Sequence, residues 1–419
     1  MNPVVQKQHS RTFGVARVAS WVAYGLHGFL LGVVFSEAPR LRGHFDLSKG
    51  AIATLIGMVS LLAIVGSLLA GKLTLRWSSR TTLRIGLALL SVGGCAVALA
   101  PDIVFLCGAL SCYGIAVGLS YASANAQAVF VQRGYGRFVL SSFYAAGNVG
   151  IICGSLFVSV CAKSHVTLRE SLLAGAMIVF VASMVAGPRL LGPHDAEHNS
   201  AGEQQKVHAR SNAAHADRTP LRAYLVFGIA IALMSAIDVT ISDWSALYLT
   251  DDLMSAPSTA ALALAAYQAA SLLGRFTGDR WIRRFGPRAV LRAAAGSGIV
   301  GLAVAVAASN PALAIVGFGI TGFGLPLITP LCVGEAGRLT SGQSLDSLIA
   351  RLMIFPYLGT VLGSVTAGGI AAATTLRIGF ALPLACAISL TLFGRAFHPR
   401  HEPDADLATG RDRNTSTKP

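Results

Sequence analysis

Residues 274–292 read GRFTGDRWIRRFGPRAVLR, between an apolar run over 259–273 and another over 293–308. A glycine-rich entry, an Asp-Arg pair, four further arginines and a Phe-Gly-Pro-Arg turn between apolar runs are the marks of a short loop. Its arginines pin such a loop to the cytoplasmic face of a membrane. Gly278 permits close approach of two helices, and Asp279 can cap a helix start or pair with a neighbouring arginine.

Composition agrees. The 419 residues are 53% hydrophobic and only 12% charged, with a mean hydropathy of +0.62; a soluble chain carries roughly a quarter charged residues. In lipid the backbone must satisfy its own hydrogen bonds, as helices or as a closed barrel. The apolar runs are about twenty residues long and do not alternate, which selects helices. They fall near 17–36, 50–71, 84–100, 103–131, 138–162 and 171–191, then near 222–250, 258–274, 289–308, 311–334, 348–373 and 377–396. The expectation is an all-α polytopic membrane protein of twelve transmembrane helices, arranged as two six-helix bundles over 1–191 and 222–397. A polar cytoplasmic linker covers 192–221 and a disordered cytoplasmic tail 398–419. With the N-terminus inside, 27 of the 33 lysines and arginines fall on the cytoplasmic side and 6 outside, which places both termini in the cytoplasm. The formal charge of +14 is thereby explained without nucleic acid, because the arginines sit in short separate loops. The seven cysteines lack metal-ligand spacing and read as free thiols in apolar surroundings.

A degenerate copy of the opening stretch, AGKLTLRWSSRTTLR, spans 70–84. Aligned on Arg-Trp, it sets Leu75 against Asp279 and Arg80–Arg84 against Arg288–Arg292, with four residues missing between the blocks. One loop type per half is a repeat signal. The loop resembles the signature between the second and third helices of each half of the major facilitator superfamily, the twelve-helix secondary transporters. Ala38-Pro39-Arg40-Leu41-Arg42 with Phe45-Asp46-Leu47-Ser48, and Asp238 followed by Asp243-Trp244, are similar to a bacterial branch near the sugar permeases typified by the fucose/proton symporter. The resemblance implies a cytoplasmic gate motif made of Gly274, Gly278, Asp279, Arg280, Arg284, Gly286 and Arg288, with Arg76 and Arg80 in the first half. Leu75 departs from the family's aspartate. Asp238 is shorter than the family's glutamate. Gly147-Asn148 stands where drug exporters carry Gly-Pro.

Polar residues inside apolar runs are costly in lipid and mark function. Helix seven holds Asp238 and Asp243, about 140° apart around the helix axis, as candidate proton- or substrate-binding carboxylates. Tyr121 and Asn125 share a face of helix four. His27, Asn148 and Gln268 join them from helices one, five and eight to suggest a polar central cavity. Glu335 and Arg351 form a candidate gate pair. Gly147, Gly150 and Gly154 in helix five recur as Pro356, Gly359 and Gly363 in helix eleven, and are expected to let opposite halves pack tightly and rock. No phosphate loop, nucleophile elbow or zinc signature is present. Residues 317–322 (GFGITG) fit a dinucleotide pattern, but they lie inside a membrane helix. The sequence thus points to a non-enzymatic transporter without cofactor, monomeric in the bilayer. It is expected to move a small polar organic solute by alternating access with a proton. A proton-driven exporter and a non-translocating receptor are the alternatives.

Overall fold

The computed structural model describes residues 3–47, 49–192, 221–255, 257–339, 343–373 and 375–397. The expected linker and the tail after 397 lie outside the described residues, apart from the linker's two ends at 192 and 221. Twelve spans follow one another. They are α1 (Pro3–Ser36), α2 (Lys49–Arg76), α3 (Ser79–Ala98), α4 (Ile103–Tyr135), α5 (Leu140–Lys163) and α6 (Leu168–Ala186) in the first half. The second half holds α7 (Leu221–Leu247), α8 (Pro257–Phe285), α9 (Pro287–Ala307), α10 (Pro311–Gly324 continuing as Ile328–Leu339), α11 (Gln343–Leu352 and Phe355–Ala373) and α12 (Leu376–Gly379 and Ala381–Leu390). Among the described residues, ten of these helices are long and apolar enough to cross a membrane. The exceptions are α8, which carries Arg275, Asp279, Arg280, Arg283 and Arg284 near its end, and α11, which breaks at Met353-Ile354 ahead of Pro356. Exposed apolar side chains such as Leu156 (60%) and Val104 (77%) face outward, as lipid requires.

The two halves repeat, and glycine contacts fix the register. A Cβ on Gly66 of α2 would lie 2.0 Å from the Ile115 carbonyl oxygen of α4; one on Gly274 of α8 would lie 2.0 Å from that of Phe323 in α10. Gly114 meets the Val59 carbonyl as Gly322 meets that of Tyr267. Each pair of equivalents is 208 positions apart. The caps agree: Asp102 caps α4 through the Phe105 amide (2.8 Å), and Asn310 caps α10 through the Leu313 amide (2.9 Å). Ser78 (φ 145°) and Gly286 (φ 81°) occupy the same position before α3 and α9, where positive φ turns the chain between helices.

This register corrects two sequence expectations. The first-half equivalent of Asp279 is Gly71, not Leu75, and no residues are missing between the blocks. Residues 274–285 are also not a loop: α8 runs unbroken to Phe285, so Gly278 and Asp279 are helical and the turn comes only at Gly286.

A third expectation fails as well. Gly150 and Gly154 pack against the Gly25 and Phe29 carbonyls of α1 (2.1 and 2.2 Å for an added Cβ). Gly359 and Gly363 pack against the Ala232 and Ala236 carbonyls of α7 (2.1 and 2.6 Å). The glycines therefore weld α5 to α1 and α11 to α7 inside each half. Across the halves, α2 packs on α11 and α5 on α8 instead.

Candidate functional site

A cavity of about 390 Å³ lies between the halves. Its lining includes Arg275, Tyr144 and Thr329 together with Phe35, Ser242 and Thr360. Asp238 projects into it from α7. Tyr267 Oη, buried on α8, donates to Asp238 Oδ1 at 2.5 Å. His27 and Tyr121 stack at 5.4 Å between centroids, and His27 Nδ1 is hydrogen-bonded to Ser120 Oγ at 2.9 Å. Asn148 lines the wall from α5.

Other sequence candidates stand elsewhere. Asn125 is buried behind the wall. It accepts from Tyr144 Oη (2.5 Å) and donates to the Tyr121 carbonyl (2.8 Å), so it positions two tyrosines and does not line the cavity. Asp243 is exposed and outside the lining, a consequence of the 140° that separates it from Asp238. Gln268 is exposed too, because its neighbour Tyr267 takes the inward direction on α8. Glu335 pairs with Arg338 at 3.5 Å while Arg351 is exposed, so the proposed Glu335–Arg351 pair is not formed. One helical turn separates Glu335 from Arg338, whereas Arg351 belongs to the next span.

Below the cavity the halves touch, and the gate motif makes the contact. The Asp279 carboxylate accepts from the Ser141 amide (2.9 Å) and the Ser142 amide (3.1 Å), the first free donors of α5. It therefore caps a helix of the opposite half, where a carboxylate also meets the positive end of the helix dipole. Gly278 makes room: a Cβ there would lie 2.8 Å from Ser141 Oγ. Arg283 donates to the Phe138 carbonyl (2.7 Å), and Arg133 donates to that of Gly337. In the other half Gly71 merely touches Ala350, so the latch is one-sided. The remaining motif arginines brace their own halves or face outward. Arg80 donates to the Pro188 carbonyl (2.8 Å) and Arg288 to that of Gly394 (3.0 Å). Arg76 and Arg284 lie over Trp77 and Phe285, and Arg280 is exposed.

Asp279→Ala is expected to loosen this face. Losing two charge-assisted bonds costs about 3 kcal/mol or more, a population shift of roughly 150-fold or more. Val129 is buried against Gly337 at the contact. On a background without the native cysteines, Val129→Cys should react with maleimide faster by about that factor when Asp279 is replaced. An unchanged labelling rate would show that the carboxylate does not hold the contact closed.

The family model described as Major Facilitator Superfamily matches residues 20–248 and again 223–419, once in each half. The chain belongs to that superfamily. An uncharacterized transporter of Sinorhizobium fredii, y4wD, is 28% identical over 359 residues, covering 85% of this chain and 91% of the relative. An uncharacterized MFS-type transporter of Yersinia pestis is 27% identical over 370 residues, covering 87% and 90%. Among solved structures, the Escherichia coli fucose:proton symporter FucP in its outward conformation superimposes with a TM-score of 0.73 at 15% identity, over 92% of this chain and 99% of FucP. The superfamily's fold and its role in membrane transport are thus this chain's own.

Sequence reasoning missed several cavity residues. Arg275 reads by sequence as one of the loop arginines, yet it stands one helical turn from Asp279 and lines the cavity. Tyr24, Tyr144 and Tyr357, which line the cavity, and Tyr267, which bonds Asp238 from behind it, carry no signal in hydropathy because tyrosine is at home in an apolar run. A buried tyrosine hydroxyl is as much a polar group needing a partner.

Proposed function

We propose that the protein is a secondary active transporter that moves a small polar organic solute by alternating access, with a proton carried on Asp238. The observation that carries this reading is a carboxylate at the cavity between two repeated bundles, held by a single tyrosine hydroxyl. A carboxylate in a membrane helix is costly and is retained where it binds or relays. The arginine-rich face, with both termini, is taken as cytoplasmic in a bacterial inner membrane. On that assignment the latch closes the inside and the cavity faces out.

The test is substrate-dependent proton movement in proteoliposomes, followed with an internal pH dye while sugars, small acids and antibiotics are added outside. Proton uptake with one class of solute supports symport, and an opposite proton flux supports export. No proton movement with any transported solute removes the proton from the reading. Tyr267→Phe leaves the ring and removes the bond to Asp238. Hydrogen bonds to charged groups contribute about 1.5–3 kcal/mol, so coupled uptake should slow about tenfold or more, with the melting profile little changed. Wild-type rates in that variant would show that Tyr267 does not tune the carboxylate.

A further inference from the structure

We propose that the cavity holds a carboxylate-binding subsite built on Arg275, so that the solute is an organic anion. The inference deepens the transport reading above and rests on it. Arg275 and Asp238 line the same cavity, but no ion pair within 4.0 Å joins them among the described residues. Their situations differ. Asp238 already accepts from Tyr267, whereas Arg275 Nε is buried without a hydrogen-bond partner. Asp279, one turn away, accepts from the Ser141 and Ser142 amides and forms no ion pair with the guanidinium within 4.0 Å. The turn carrying Arg275 is itself fixed, since Ser141 Oγ donates to the Arg275 carbonyl at 2.6 Å.

A second unsatisfied donor lines the same cavity from the opposite half. Tyr24 is 2% exposed, lines the cavity, and its hydroxyl is buried without a partner. The hydroxyls of Tyr121, Tyr144 and Tyr267 stand within electrostatic reach of Arg275. A buried donor left unpaired is costly, most of all a charged one. Here the missing component is an acceptor. A carboxylate supplies two oxygens in the plane that suits a guanidinium fork, and a neutral polyol cannot neutralise the charge. A cationic solute would be repelled by the Arg275 guanidinium and would leave its Nε–H without an acceptor. With a proton on Asp238, Arg275 remains as the formal charge of the lining, and an anion brings the loaded site to neutrality.

The experiment uses the purified full-length protein and two matched pairs of probes, glucuronate with glucose and lactate with propane-1,2-diol. In each pair a carboxylate is exchanged for a hydroxymethyl group. Binding is read by calorimetry and by ligand-induced thermal shift, with the unliganded melt of each variant as the folding control. At least one carboxylate should bind wild type more than tenfold tighter than its alcohol. Arg275→Gln should weaken that binding about a hundredfold, and Arg275→Lys should restore part of it. The proposal is overturned if alcohol and carboxylate bind alike, if Arg275→Gln leaves affinity unchanged, or if neither carboxylate binds wild type. Arg275-dependent binding without proton movement in vesicles would keep the subsite and remove only the role of Asp238.

Discussion

Asp238→Asn is expected to reduce proton-driven accumulation to the level of empty vesicles while leaving solute exchange across the membrane intact. The substitution is nearly isosteric, and Tyr267 Oη can still donate to the remaining side-chain oxygen, at the position where it now meets Oδ1 at 2.5 Å. What is lost is the ability to gain and release a proton. No other carboxylate stands among the lining residues of the cavity to take its place. Counterflow, which needs binding and rocking but no net proton transfer, should therefore persist. Asp243→Asn is the matched control: its side chain is exposed and outside the lining, so accumulation should stay within about twofold of wild type. The comparison is made on purified variants reconstituted at equal protein density under an imposed pH gradient. Robust accumulation by Asp238→Asn, or equal loss in both variants, would remove Asp238 as the coupling group.

How far the chain could be read by sequence alone depends on which physical signal each feature carries. Hydropathy finds helices in lipid because twenty apolar residues have few alternatives, and the doubled arginine loop announces the repeat. Register is harder. Matching Arg76-Trp77 to Arg280-Trp281 aligned two surface features, whereas helix packing is set by backbone contacts at Gly66 and Gly274, four positions out of step with that match. The 140° between Asp238 and Asp243 shows that one narrow face cannot hold both, but periodicity cannot say which faces inward. The same holds for Tyr267 and Gln268, about 100° apart. Arg275 was hidden because an arginine near the end of an apolar run has the composition of a loop. Its place in the cavity depends on α8 continuing to Phe285, and no local residue preference announces that continuation.

Gly150→Leu and Gly359→Leu are each expected to cost the protein its stable fold, and by similar amounts. In both positions an added Cβ would sit 2.1 Å from a carbonyl oxygen, of Gly25 in α1 and of Ala232 in α7. Backbone cannot yield there as a flexible side chain could, so the helices must separate. Overpacking of this kind costs about 1–3 kcal/mol or more, and separation also forfeits the dispersion contact that holds helices together in lipid. Each variant should elute from size-exclusion chromatography as aggregate or melt far below wild type. Gly57→Leu and Gly147→Leu bracket the claim. Nothing lies within 4 Å of a Cβ on Gly57, and one on Gly147 would find only ordinary contact with Tyr24 at 3.7 Å. The Gly147 variant should fold and yet transport poorly, since that residue lines the cavity. The equality of the two damaging variants matters because it concerns the motion itself. If α1 is welded to α5 and α7 to α11, each half moves as one body, and alternating access must occur where α2 meets α11 and α5 meets α8. A Gly150→Leu protein that melts like wild type would mean that α1 and α5 are free to slide, and the rigid-half description would fail with it.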